Sequence, residues 1–143
     1  MWTPLRQEIS QGDIFQSIPF PIIRFQDGTT SVEYQERFGM LLTYDCEYDK
    51  QNIPVALLAQ VRLLHELPEG SRGNIREDRQ LRCFPLTGSE HMEEAFVEFG
   101  NVASVPKVLL SELSATEKRI LSLNYDARTR LQQRLALFFG VNR

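Results

Sequence analysis

The chain has 143 residues, is 42% hydrophobic and 24% charged, and carries a formal charge of -3. Those values predict one soluble globular domain with a real core, and they exclude a molecule held to nucleic acid by bulk positive charge, though not a local basic face. Two cysteines, Cys46 and Cys83, are too few for a disulfide framework, and no apolar run approaches the roughly 20 residues that cross a bilayer, so a reduced, cytoplasmic protein is expected.

In chain order, the first signal is the turn dipeptide Gly12-Asp13, followed by Ile14, Phe15 and Ile18 and then by Pro19-Phe20-Pro21. Proline cannot donate to a ladder, so this segment reads as an edge or a strand exit. Residues 22–25 pair across Asp27-Gly28, a strong hairpin dipeptide, with residues 29–34. Residues 38–43 and 55–64 are the two best core strands, joined by a loop over residues 44–52. Residues 67–80, with Pro68, Gly70, Gly73 and alternating charges, read as a long surface loop or insertion. Residues 81–86 and 94–99 are further strands, the second with Ala95, Val97 and Phe99 on one face.

The C-terminal part reads as helical. Ser114 and Glu117 have the spacing of a capping box, which predicts a short helix to about Leu123. Asn124 caps a second helix with an apolar stripe of Leu131, Leu135, Phe138 and Phe139, and Gly140 suits a left-handed C-terminal residue. Arg128, Arg130 and Arg134 fall mostly on its outer face. The resulting arrangement is α+β: a helical hairpin on a small antiparallel sheet.

Chemistry concentrates in RFGMLLTYDCEYDK, residues 37–50, where a buried strand ends in a polar turn. Asp45, Cys46, Glu47 and Asp49 admit a divalent-cation site, a cysteine nucleophile, or a capped loop with Cys46 packed inward; lone cysteines favour the last. Tyr44 and Tyr48 suit base stacking or packing. Arg37 offers a planar, permanently charged fork for a phosphate, or else pairs with Glu33 or Glu36. Cys46, Cys83, His65 and His91 lack the close pairs that preorganise zinc. Arg72, Arg76, Arg79 and Arg82, interleaved with Glu77 and Asp78, read as a solvated, self-paired loop rather than a track for RNA.

Gly12-Asp13-Ile14, the strand RFGMLLT over residues 37–43, ALLAQVR over residues 56–62 and AFVEFGNVASVPKVLL over residues 95–110 resemble, in order and spacing, the MazF/PemK-like toxins. The resemblance implies a single domain over residues 1–143. An SH3-like antiparallel barrel would occupy about 12–104 and a helical tail about 105–143. It also implies a metal-independent endoribonuclease without cofactors, often dimeric, acting on single-stranded RNA and held by an antitoxin in a stress or phage-defence system. Arg37 matches the family's catalytic arginine, and the family's threonine falls at or near Arg62. The site expected from this likeness has Arg37 on the phosphorane, Thr43, Asp45 or Glu47 handling protons, and Tyr44, Tyr48, Lys50 and Arg62 holding substrate. It requires Arg37 and the acidic turn to converge at one mouth of the barrel. The alternative is a catalytically degenerate module that binds a co-encoded partner, which the substitution at Arg62 favours.

Overall fold

The computed structural model describes residues 1–140, and within them the chain is α+β. Its elements are β1 (Trp2–Thr3), β2 (Ile14–Gln26), β3 (Thr29–Leu41), α1 (Asp45–Tyr48), β4 (Val55–Leu63), a 3-10 turn (Leu64–Glu66), α2 (Glu69–Arg76), β5 (Cys83–Leu86), β6 (Ala95–Pro106), α3 (Lys107–Ala115), β7 (Arg119–Leu123) and α4 (Tyr125–Phe138). The strands form one antiparallel sheet in the order β1-β7-β2-β3-β4-β6-β5. No ladder joins β1 to β5. The two edges approach each other at Thr87: Trp2 Nε1 donates to the Thr87 carbonyl at 3.1 Å, and the Thr87 amide donates to Met1 Sδ at 3.4 Å.

Alternation along the strands gives the sheet two apolar faces. On one, Ile14, Met40, Ala59, Val61 and Val97 pack with Leu131 and Leu135 of α4. On the other, Phe15, Ile18, Leu41, Leu58 and Val105 pack with Leu110 of α3. A smaller cluster of Leu64, Ile75 and Phe96 seats α2. Gly12, at φ +91°, lets the chain turn into β2; a Cβ there would lie 2.7 Å from a Leu123 methyl.

Several sequence-based expectations change. Residues 67–80 are not a structureless loop: Pro68 stands at the N-cap of α2, and Ile75 anchors that helix despite its two glycines. The 44–52 connection contains the helical turn α1. The Ser114–Glu117 capping box does not form. Ser114 lies in the last turn of α3, Glu117 adopts φ +63°, and residues 119–123 form β7 between β1 and β2, where a helix was expected. Burial of Leu121 and Leu123 on the sheet's α4 face outweighs the local helix signal. The tail is therefore helix–strand–helix, not a helical hairpin, and the sheet extends past residue 104. Asn124 does cap α4, its side chain accepting from the Ala127 amide at 2.9 Å, and Gly140 is left-handed at φ +63°. Residues 141–143, included in the expected helical tail, lie outside the described residues.

The β2–β3 hairpin forms as expected, turning at Asp27 and Gly28, both at positive φ. It is longer than either neighbouring strand. β7 pairs with β2 only at Ile14 and Phe15, and β4 pairs with β3 only from Phe38 to Leu41. Residues 19–36 thus project as a two-stranded ribbon. A bulge at residues 16–17, with Ser17 at φ +63°, marks its root.

Candidate functional site

The Gly-Asp turn leads into a buried polar centre. Asp13 is fully buried and accepts from the Ser10 amide at 2.9 Å, the Ser122 hydroxyl at 2.7 Å and Arg119 Nη1 at 2.9 Å. Burial raises the Asp13 pKa against the opposing pull of these donors. Arg119 also donates to the Arg6 carbonyl at 2.7 Å and to Ser114 Oγ at 3.2 Å. One guanidinium so ties the N-terminal segment, the end of α3 and the start of β2 together. Every oxygen of Asp13 is occupied, so this centre is structural.

The acidic turn is engaged in a similar way. Asp45 accepts from the Gln11 amide at 2.8 Å and from Arg128 of α4 at 3.0 Å. Thr43 Oγ1 accepts from the Leu57 amide at 2.8 Å. Lys107 Nζ donates to the carbonyls of Glu47, Tyr48 and Lys50 at 3.2, 2.7 and 3.0 Å, filling the free C-terminal end of α1. Glu47 pairs with Lys50 at 2.8 Å. Tyr48 packs against the α3 core, whereas Tyr44 is exposed. Cys46 is exposed, not packed inward, on a helical turn that buries none of its residues. Cys83 is half-buried, and burial pushes its thiol pKa up. Among the described residues no three His, Cys, Asp or Glu side chains are grouped to hold a metal ion.

Arg37 lies elsewhere. It shares a sheet face with Leu41, four residues and about 13 Å further along β3 at a strand rise of about 3.3 Å per residue, and Thr43 follows two residues after the strand ends. Leu41, Leu58 and Leu110 belong to the buried cluster on that face, and the notch that Arg37 lines contains no residue of the acidic turn. The guanidinium and the acidic turn do not converge. Arg37 pairs with neither Glu33 nor Glu36; it donates to Gln35, and Glu33 pairs with Arg24.

Arg37 does meet Arg62. Phe38 is in register with Val61, which sets the two arginines side by side where β3 and β4 diverge at the ribbon root. They line a notch of about 290 Å³ with Ser17, Glu36, Gln60 and Glu66. Arg62 is held over the Phe96 ring, 5.8 Å from its centroid, and lies 3.4 Å from Glu98. Sequence reading placed both arginines in one site but missed Ser17, Glu36, Gln60 and Glu66 as neighbours. The Phe38–Val61 register, which depends on strand pairing, is what reveals them.

The remaining arginines are largely spoken for. Arg76 pairs with both Glu94 oxygens at 2.9 Å, Arg79 with Glu77 at 2.7 Å, and Arg72 caps the His65 and Leu67 carbonyls at 3.0 Å. Arg128 and Arg134 are not merely a wet outer face: they bind Asp45 and Asp78 and fasten α4 to the domain. No protein-family model and no curated protein matches this chain.

Proposed function

We propose that the chain is a toxin-like RNA-binding and RNA-cleaving module of MazF/PemK-like type, with its site at the Arg37–Arg62 notch. The observation that carries this reading is that two guanidinium groups, Arg37 and Arg62, and two carboxylates, Glu36 and Glu66, line one opening. Two adjacent cations suit a phosphodiester, and they would stabilise the added negative charge of a pentavalent phosphorus. Glu36 or Glu66 would take the proton of an RNA 2′-hydroxyl as its oxygen attacks the adjacent phosphorus. The bond to the 5′-oxygen then breaks and that oxygen takes a proton, leaving a cyclic phosphate and a 5′-hydroxyl. No metal enters these steps. Thr43, Asp45 and Glu47 lie past the end of β3, do not line the notch and have no part in them.

The same reading takes the curled sheet as an SH3-like barrel left open between β1 and β5, and places the protein in the cytoplasm beside a co-encoded antitoxin. No helix among the described residues is long and apolar enough to cross a membrane. The test is induction of the protein in cells, followed by incubation of the purified chain with single-stranded RNA in excess chelator. Growth arrest and cleavage that both disappear in Arg37→Ala and Arg62→Ala support the reading. Cleavage that survives both substitutions overturns it.

One observation favours a second reading, a non-catalytic module that binds a co-encoded protein. Arg37 and Arg62 already have the partners Gln35 and Glu98, so the notch is self-satisfied without a ligand. Tight complex formation with no RNA turnover would select this alternative.

A further inference from the structure

Strand β6 carries three extra residues opposite β4. Ala59 pairs with Val102 and the next residue, Gln60, pairs with Glu98, so residues 99–101 have no counterparts across the ladder. Bulges of this kind re-aim side chains and gather beside functional sites. Phe99 turns inward and is 1% exposed, its ring 5.6 Å from that of Phe138. Gly100 lies against the Arg82 guanidinium, where a Cβ would come within 2.5 Å of Nη2. Asn101 reaches across to β4, and its Nδ2 donates to Gln60 Oε1.

Gln60 is 9% exposed, yet it lines the notch with Arg37 and Arg62. Strand alternation groups the three. Gln60 and Arg62 are two residues apart on β4, Arg37 and Gly39 are two apart on β3, and Gln60 pairs with Gly39. Their side chains therefore leave the same face of the sheet. Glu98, in register with Gln60, shares that face and lies 3.4 Å from Arg62. A carboxamide has one acceptor oxygen and two N–H donors. Asn101 takes the Gln60 oxygen, whereas the Gln60 nitrogen has no hydrogen-bond partner among the described residues and is not sealed from solvent. A side chain buried to this extent with idle donors is an exception to the usual satisfaction of buried polar groups.

We propose, resting on the notch as the RNA site, that Gln60 is a third hydrogen-bond donor to the bound strand and that Asn101 is the positioning residue that turns its N–H groups toward the notch. With its oxygen engaged, Gln60 offers donors alone, so the group it meets is an acceptor oxygen. That oxygen belongs either to the scissile phosphate or to an adjoining base. On the phosphate, Gln60 adds a neutral donor to the two guanidinium groups at the developing charge. On a base, it favours guanine or uracil, whose O6 and O4 accept, over adenine and cytosine, whose N6 and N4 amino groups donate at the same positions.

Single-turnover cleavage of single-stranded oligonucleotides in excess chelator, with dissociation constants measured separately, tests it. The proteins are the intact chain, Arg37→Ala, Gln60→Ala and Asn101→Asp, each checked for folding by circular dichroism. Asn101→Asp keeps the shape at a partly exposed position but has no N–H to donate; its carboxylate accepts from the Gln60 nitrogen and turns the oxygen to the notch. A phosphate contact predicts that Gln60→Ala and Asn101→Asp each slow the cleavage step by about 100-fold on every sequence, with affinity little changed. A base contact predicts a loss of about tenfold in affinity, confined to oligonucleotides with guanine or uracil beside the scissile bond. Either pattern supports the proposal, and should Gln60→Ala fail to fold, Asn101→Asp alone decides. Both constants unchanged in either folded variant, while Arg37→Ala is inactive, overturns the roles of Gln60 and Asn101 and leaves the RNA site standing. An intact chain that does not cleave, or cleavage indifferent to Arg37→Ala, overturns both.

Discussion

Asp13 and Arg119 form a buried ion pair at 2.9 Å although they are 106 residues apart in the chain. Asp13 is 0% exposed and Arg119 8%, so each charge depends on the other for compensation. Asp13→Asn keeps the shape and strands the guanidinium, and should lower stability by about 3–5 kcal/mol. The measurement is a urea transition, with the midpoint falling and the slope unchanged. Asp13→Leu with Arg119→Met should recover part of the loss, because neither charge is then left alone.

The acidic turn should behave as a latch. Thr43→Val removes the acceptor of the Leu57 amide and should cost about 1–3 kcal/mol, the desolvation penalty of an unmatched group. Asp45→Ala should cost a similar amount by freeing the Gln11 amide and Arg128. Neither should lower RNA binding, measured as protein-induced anisotropy of a labelled oligonucleotide at a fixed salt concentration. Loss of binding at full stability would return residues 43–47 to the site.

Local signals carried much of the fold. Asp27-Gly28 encodes its hairpin because the turn itself demands positive φ, and Asn124 encodes its cap through one hydrogen bond to a neighbour. The misreadings share a physical cause: a distant contact won. Ser114 and Glu117 look like a helix start, but residues 119–123 gain more from pairing in the sheet and burying Leu121 and Leu123. Residues 67–80 look like a loop until Ile75 finds Leu64 and Phe96. The site followed the same rule. Residues 43–50 drew attention by composition, yet their polar groups answer Gln11, Lys107 and Arg128, which no local pattern links to them. The Arg37–Arg62 neighbourhood depended on strand register, which a single sequence states only weakly.

At the notch, Arg37→Ala and Arg62→Ala should each lower RNA cleavage by about 100- to 1,000-fold, the usual effect of removing one preorganised charge donor from a transition state. Glu66→Gln, compared with Glu36→Gln, identifies the proton acceptor through which variant loses the alkaline-side plateau of the pH–rate profile. All four residues are at the surface or partly exposed, so thermal stability should change little and separates this outcome from unfolding.

Glu94 gives a pH test of α2 docking. Its hydrogen bonds to Arg76 hold its pKa below the ordinary 4.5. A carboxyl with a depressed folded pKa contributes stability above the unfolded value and loses it as pH falls through the folded one. Between about pH 5 and about pH 3 the intact chain should therefore lose more stability than Glu94→Gln, which has no such contribution to lose. Both partners are partly solvated, so the difference should shrink in high salt. Urea midpoints at the two pH values, with and without added salt, measure it.

The chain contains a single tryptophan, and it sits where β1 meets the far edge of the sheet, its indole N–H on the Thr87 carbonyl. That position makes the protein its own optical gauge. Emission from Trp2 will report parting of the seam separately from the far-ultraviolet signal of the core. A red shift that precedes loss of ellipticity would mean that the N-terminal strand peels away while the rest of the domain stays intact.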